Sequence, residues 1–216
     1  MPKIMEKTDP SIPPERDGKI YDVHLSLEVD PRLLPFFFQL LGDGFKVTVP
    51  LNCSVKELLC SHLDIQEDYL EDRIQTIILN GKAVDDVSTT AVEAGSTLAL
   101  SGAMPGLVGA ILRRGGAFAP MRQQISHNQT GSETKHDTGE ITLKLFNLVV
   151  KELGPAFLQR GVWIKGRRLQ EFILRYADEL VQGCHALKLD GNSRKIDPLS
   201  QLDLSNQSVF LQIIAP

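Results

Sequence analysis

The sequence predicts an α+β protein built from two copies of one strand–helix–strand pattern. Three observations predict it. Short runs that alternate polar and apolar residues, such as His24-Leu25-Ser26-Leu27-Glu28-Val29, recur along the chain and mark half-buried strands. Between them lie stretches with helical spacing, of which Phe172, Ile173, Tyr176, Ala177 and Leu180 are the clearest. Finally, Leu187-Lys188-Leu189-Asp190-Gly191 falls on Ile77-Ile78-Leu79-Asn80-Gly81 at a constant offset of 110, and the run 206–211 falls on 95–100 at an offset of 111.

Residues 1–18 carry Pro2, Pro10, Pro13 and Pro14 among charges and are expected to form a flexible arm. The first repeat is expected over 19–101. Its first strand ends at Asp30-Pro31, and the apolar run 33–41, closed by Gly42-Asp43-Gly44, is too long for a hairpin and suits a short helix on the sheet. Phe36, Phe37 and Phe38 are expected to serve core or interdomain packing, with an exposed partner-binding patch as the alternative. A second alternating strand, 45–49, stops at Pro50. Asn52 or Ser54 then caps a helix over 55–62 with Leu58 and Leu59 facing inward. The acidic stretch 64–72 reads as a solvated connection, 76–79 as a buried strand, and Asn80-Gly81 as the strongest turn signal in the chain. Ala94-Gly95-Ser96 turns into a closing strand at 97–100.

The second repeat, 140–216, follows the same order. Residues 141–145 correspond to the first strand, 149–159 to the apolar excursion, and Gly161-Val162-Trp163-Ile164-Lys165 to Gly44–Thr48; a helix is expected over 169–180. Both repeats keep Asn or Asp before Gly at the tight turn and Gly or Asn before the last strand, residues that tolerate left-handed backbone. Between the repeats, 102–139 comprises a Gly/Arg-rich segment and the polar linker 127–139.

Val47-Thr48-Val49-Pro50, the helix at Val55–Leu59, Leu79-Asn80-Gly81-Lys82 and the approach Ala94–Leu98 resemble the β-grasp, ubiquitin-like sulfur-carrier proteins of thiamin and molybdopterin synthesis. The resemblance covers 45–101, and the duplication extends it to two tandem β-grasp repeats. It implies a strand–helix–strand–turn–strand body that presents a flexible tail. Leu112-Arg113-Arg114-Gly115-Gly116 is similar to the Leu-Arg-Gly-Gly tail of that family, whose terminal glycine is adenylated and then thiolated or conjugated. Here the pair is internal, so a carrier or modifier role requires cleavage after Gly116.

With 216 residues, 42% hydrophobic and 23% charged, the chain has the make-up of an ordinary globular protein. A net charge of −4 argues against a general nucleic-acid binder, though not against local patches. Cys53, Cys60 and Cys184 lack metal-ligand or disulfide-framework spacing. No secretory signal opens the sequence, and the most apolar stretch, 98–112, is shorter than a membrane span, so a cytoplasmic protein is expected. The five histidines form no catalytic set, and no nucleophile or metal motif appears, which lowers the expectation of an enzyme without removing it. No motif names a cofactor.

Function is expected to centre on 101–122, which holds five glycines, two prolines and three arginines within 22 residues. Gly106, Gly109, Gly115 and Gly116 permit close backbone approach, and Arg113, Arg114 and Arg122 supply fixed positive charge. The leading expectation is a non-catalytic binding or assembly module whose ligand or partner surface is these seven residues. Freed backbone N–H groups beside the arginines also suit a small anion. The basic run Lys165-Gly166-Arg167-Arg168 after Trp163 reads as solvated charge or as part of a shared anion surface with Arg113, Arg114 and Arg122. The partner is therefore a protein or a small anionic ligand, and a homo-oligomer stays open. A processed sulfur carrier and a small-molecule or cofactor-binding protein with a site between the repeats are the alternatives.

Overall fold

Most strands and helices form where the patterning places them, but they assemble in groups that cut across the order of the chain. The computed structural model describes residues 22–122, 138–196 and 202–216; the expected arm and most of the expected linker lie outside the described residues. In chain order the strands are β1 (Asp22–Val29), β2 (Phe45–Pro50), β3 (Thr76–Leu79), β4 (Lys82–Ala83) and β5 (Thr97–Ser101) in the first half. The second half adds β6 (Thr138–Phe146), β7 (Val162–Lys165), β8 (Cys184–Leu189), β9 (Asn192–Arg194) and β10 (Ser208–Ile214). Contacts divide the chain into unit 1, Met1–Leu34 with Ala156–Pro216, and unit 2, Pro35–Pro155. Each unit combines a mixed five-stranded array with helices.

Unit 2 has the strand order β4-β3-β5-β6-β2. Its centre is the parallel pair β5/β6, with Leu98 opposite Leu143 and Leu100 opposite Leu145, and all four side chains are buried. On the outer sides β3 pairs antiparallel with β5, and β2 with β6. Unit 1 runs β7-β10-β1-β8-β9 around the parallel pair β1/β10, where Leu25 faces Leu211 and Leu27 faces Ile213. In both units a first strand and a last strand lie parallel at the centre, flanked by the second strand on one side and the third and fourth on the other. The orders differ only in which of the central two neighbours the second strand.

The units do not coincide with the sequence boundaries 19–101 and 140–216. β6, first strand of the second half, completes the array of the first half, and β1 completes that of the second. A reason lies in the connections. β1 reaches β2 through a 3₁₀ turn at 31–33 and the ten-residue helix α1 (Leu34–Asp43), not through a two-residue hairpin, so no local turn obliges them to pair. Likewise β6 leads into the helix α5 (Asn147–Arg160) before β7 begins.

Local rules account for most elements. The Ser54 side chain accepts from the Glu57 N–H at 3.1 Å, capping α2 (Val55–Glu57), which continues as a π turn over 58–62 with Leu58 and Leu59 buried. Asn80 (φ 51) with Gly81 (φ 81) and Asp190 (φ 49) with Gly191 (φ 76) both make the left-handed pair that joins twisted antiparallel strands tightly. Gly95 is left-handed at φ 75, whereas Asn206 at the corresponding place is not, so that part of the expected parallel fails. In the phenylalanine run Phe37, Leu40 and Leu41 are buried, and Phe36 and Phe38 are half-buried.

Two regions differ from expectation. The acidic stretch 64–72 is not only a connection: residues 67–72 form α3, anchored by fully buried Leu70. Its Tyr69 hydroxyl donates to Glu152 Oε2 at 2.7 Å, and Arg73, just past α3, also donates to that carboxylate. Glu152 lies on helix α5 (Asn147–Arg160), whose first turns belong to unit 2. Arg73 and then Tyr69 hold the Glu152 carboxyl below the usual range, while desolvation and Glu152 push the tyrosine well up. The helix expected over 169–180 is broken at Tyr176 (φ −115, ψ 30) into α6 (Gly166–Arg175) and α7 (Ala177–Gly183). With these labels the 106–112 helix between β5 and β6 is α4 (Gly106–Leu112).

Candidate functional site

The central segment leaves β5 at Ser101 and forms α4. Gly106 opens it with φ 77, after Pro105. Gly109 is buried where the helix doubles back over its own entry: a Cβ there would lie 2.0 Å from the Met104 carbonyl oxygen. That contact is with backbone, which has little room to yield, so this position requires glycine. Leu112 ends the helix, Gly115 (φ 61) turns the chain, and Gly116 N–H returns to the Arg113 carbonyl at 3.1 Å. A 3₁₀ turn over 119–122 closes the segment.

All three arginines are turned to holding the segment down. Arg122, with its side chain wholly buried, pairs with Asp85 and donates from Nη1 to the Ile111 and Arg113 carbonyls, the latter at 3.1 Å. Asp85 also accepts from the Gly115 N–H at 3.1 Å. Arg114 bonds Glu71 at 2.7 Å and the Leu70 carbonyl at 3.2 Å, and its own N–H reaches the Gln75 carbonyl at 2.8 Å. Arg113 is exposed and donates to the Gln75 side-chain oxygen. Glu71, Ile74, Gln75, Arg113 and Arg114 line an open depression of about 250 Å³.

The seven expected residues are thus drawn together, but not as an open cationic cradle. Arg122 faces inward onto Asp85 and two carbonyls, so it is not a surface cation. Gly116 lies in a hydrogen-bonded turn rather than at the end of an extended tail. Apart from Arg113, what the segment shows to solvent is largely apolar: Leu107, Val108, Phe118 and Met121 are 65%, 67%, 44% and 70% exposed. No protein-family model, curated protein or solved structure matches the chain.

Sequence reasoning missed Asp85, the acceptor that ties Arg122 to Gly115; its only signal was an Asp-Asp pair soon after the Asn80-Gly81 turn. It also read the apolar run 98–112 only against the length of a membrane span, and so missed the four exposed side chains. Among the described residues no group of His, Cys, Asp and Glu could hold a metal ion, and no helix is long and apolar enough to cross a membrane. Cys53 and Cys184 are buried, Cys60 is partly so, and desolvation raises all three thiols, which makes each a poorer nucleophile at neutral pH.

Asp85→Ala tests the clamp. It leaves the buried Arg122 charge without its carboxylate, which in a sealed site costs about 3–5 kcal/mol. Asp85 is 41% exposed, so water replaces part of what is lost, and a fall of about 2 kcal/mol in urea unfolding is expected. Asp85→Asn, which keeps an acceptor oxygen, should lose less. Equal stability of Asp85→Ala and the parent would show that the pair does not hold the segment.

Proposed function

We propose that the chain is a non-catalytic binding or assembly module that works through the central segment, and that its two halves are β-grasp repeats whose first strands have changed places. The observation that carries the functional reading is the concentration of exposed apolar side chains on a segment whose charged side chains are spent on anchoring it. Leu107, Val108, Phe118 and Met121 are large groups kept in water within fifteen residues, on backbone fixed by Arg114, Arg122 and Asp85. Exposed groups of this kind on fixed backbone suit an apolar protein partner, because little ordering is needed on binding. Supporting the β-grasp reading are the parallel central pair in each unit, the antiparallel neighbours, and the matched left-handed turns at 80–81 and 190–191.

A photo-crosslinking residue at position 108, introduced in the native host, is expected to give one discrete protein adduct. That adduct should disappear when Leu107 and Met121 are both changed to Ser, while the same crosslinker at exposed Glu93 gives none. Adducts that are the same from both positions, or that survive the double change, would count against the segment as the binding surface.

A further inference from the structure

Unit 1 carries a second, unrelated feature. Strand alternation sends Leu25, Leu27, Val162, Ile164, Val209 and Leu211 into the core, where α6 packs with Leu169, Phe172 and Ile173. The opposite face of the same strands holds a row of three rings in register: Trp163 on β7 opposite Phe210 on β10, and Phe210 opposite His24 on β1. Ring centres lie 5.2 Å apart for Trp163–Phe210 and for His24–Phe210, and 5.8 Å for Trp163–His24, the last pair edge-on at 87°. Phe210 is buried beneath its neighbours, while Trp163 and His24 stay partly open.

Cations flank this row on both sides. One register step away lies exposed Lys165, two residues along β7 from Trp163 and opposite Ser208. One step the other way is Ser26, which pairs with Gln212 on β10 and with exposed Lys188 on β8. Beyond Lys165, Arg167 and Arg168 are exposed in the first turn of α6, where Arg167 pairs with the also exposed Glu171 at 3.2 Å. Acidic residues also border the row: Glu28 lies two residues beyond Ser26 on β1, Asp22 holds the register position opposite Ser208, and the Asp190 carboxylate accepts from the His24 N–H at 2.9 Å. Of the run 165–168, Lys165 is thereby placed on the face of the aromatic row, whereas Arg167 and Arg168 begin the helix that packs on the opposite face.

We propose that this face of unit 1 binds single-stranded nucleic acid, with bases against Trp163 and His24 and phosphates at Lys165 and Lys188. Half-open rings beside amide and hydroxyl groups suit unpaired bases, whose faces a duplex conceals. Cations on either side of the row fit a strand that crosses it better than a lone nucleotide, which has phosphate at one end. The net charge of −4 makes such binding local and strongly dependent on salt.

Trp163 is the only tryptophan in the chain, so its emission reports directly on the row. Adding an oligouridylate of about ten nucleotides to the full-length protein at low salt should quench it saturably. By anisotropy of a labelled oligomer, Trp163→Ala should weaken binding about tenfold and Trp163→Phe much less. Lys165→Gln with Lys188→Gln should flatten the dependence of log affinity on log salt by about 1.4, and these exposed positions keep the test valid if Trp163→Ala does not fold. Absence of binding at low salt would overturn the proposal. So would binding that ignores both sets of changes, an equal response to duplex, or quenching by uridine monophosphate as strong as by the oligomer.

Discussion

Residues 138–216 expressed alone will not fold cooperatively, and co-expression with residues 1–122 will restore a folded complex. The second half carries every strand of unit 1 except β1, which lies between β10 and β8. Without β1 those two strands lose a shared neighbour on the buried side of each ladder, and the contacts of Leu25, Leu27 and Val29, all essentially sequestered from water, disappear. Three such side chains contribute roughly 5–9 kcal/mol at about 1.5–3 kcal/mol each, comparable with the whole stability of about 5–15 kcal/mol of a domain. At the same time β6 and the start of α5 would expose Ile141, Leu143, Leu145 and Val149, which unit 2 buries. Far-UV circular dichroism and urea titration of each fragment and of the mixture decide the matter. A fragment 138–216 that unfolds cooperatively as a monomer would show that β6 can take the place of β1, and that the exchange of strands between the halves is dispensable.

This exchange was not legible in the sequence, whereas the elements themselves were. Alternation at 24–29 and 45–49, the Ser54 cap, and the turns at 80–81 and 190–191 are local signals, set by side-chain period and backbone preference within a few residues. The choice of neighbour for β1 is not local. β1 and β6 have the same alternating pattern, so either satisfies the apolar face of a central strand. What separates them is the sum of contacts with residues over a hundred positions away, such as Leu211 and Ile213 for β1. The break at Tyr176 was hidden similarly: residues 169–180 keep helical spacing through it.

For the central segment, composition picked out the arginines but not the groups they bond. Arginine beside glycine suggested an outward-facing charged loop, but a guanidinium has five donors that carbonyls satisfy as well as an anion does. Arg122 finds the Ile111 and Arg113 carbonyls of its own segment, and Asp85 neutralises it. Asp85 precedes Arg122 by 37 residues, and no spacing rule connects them. The apolar exposure was legible in principle, since 107–112 is an apolar run with no polar face on which to divide it. An all-apolar helix of seven residues leaves some side chain in water unless it is enclosed.

Alanine at Gly161 or Gly166 should cost far more stability than alanine at Gly81, although all three sit at turns or element ends. Gly81 has φ 81 with open space around its Cα, so a Cβ there meets only the backbone penalty of left-handed geometry, about 1 kcal/mol. Gly161 combines φ 95 with a ring: an added Cβ would stand 2.2 Å from the tip of Phe210, the middle member of the aromatic row. Phe210 cannot tilt away without moving Trp163 and His24, and a loss of about 3 kcal/mol or more is expected from strain and overpacking together. Gly166 is tighter in a different way. Its N–H donates to the Gln207 carbonyl at 2.8 Å, and a Cβ would fall 1.8 Å from the Leu204 carbonyl oxygen, so the obstacle is backbone on both counts. The start of α6 would have to lift from the 204–207 turn, carrying Leu169 and Phe172 with it, for a loss of at least about 3 kcal/mol. Urea midpoints should therefore rank parent, Gly81→Ala, then the other two well below. If Gly166→Ala unfolds with the parent, α6 does not enter the core against that turn. If Gly161→Ala alone behaves as the parent, the row of rings is looser than its spacing implies, and the platform built on it would be too mobile to orient a base.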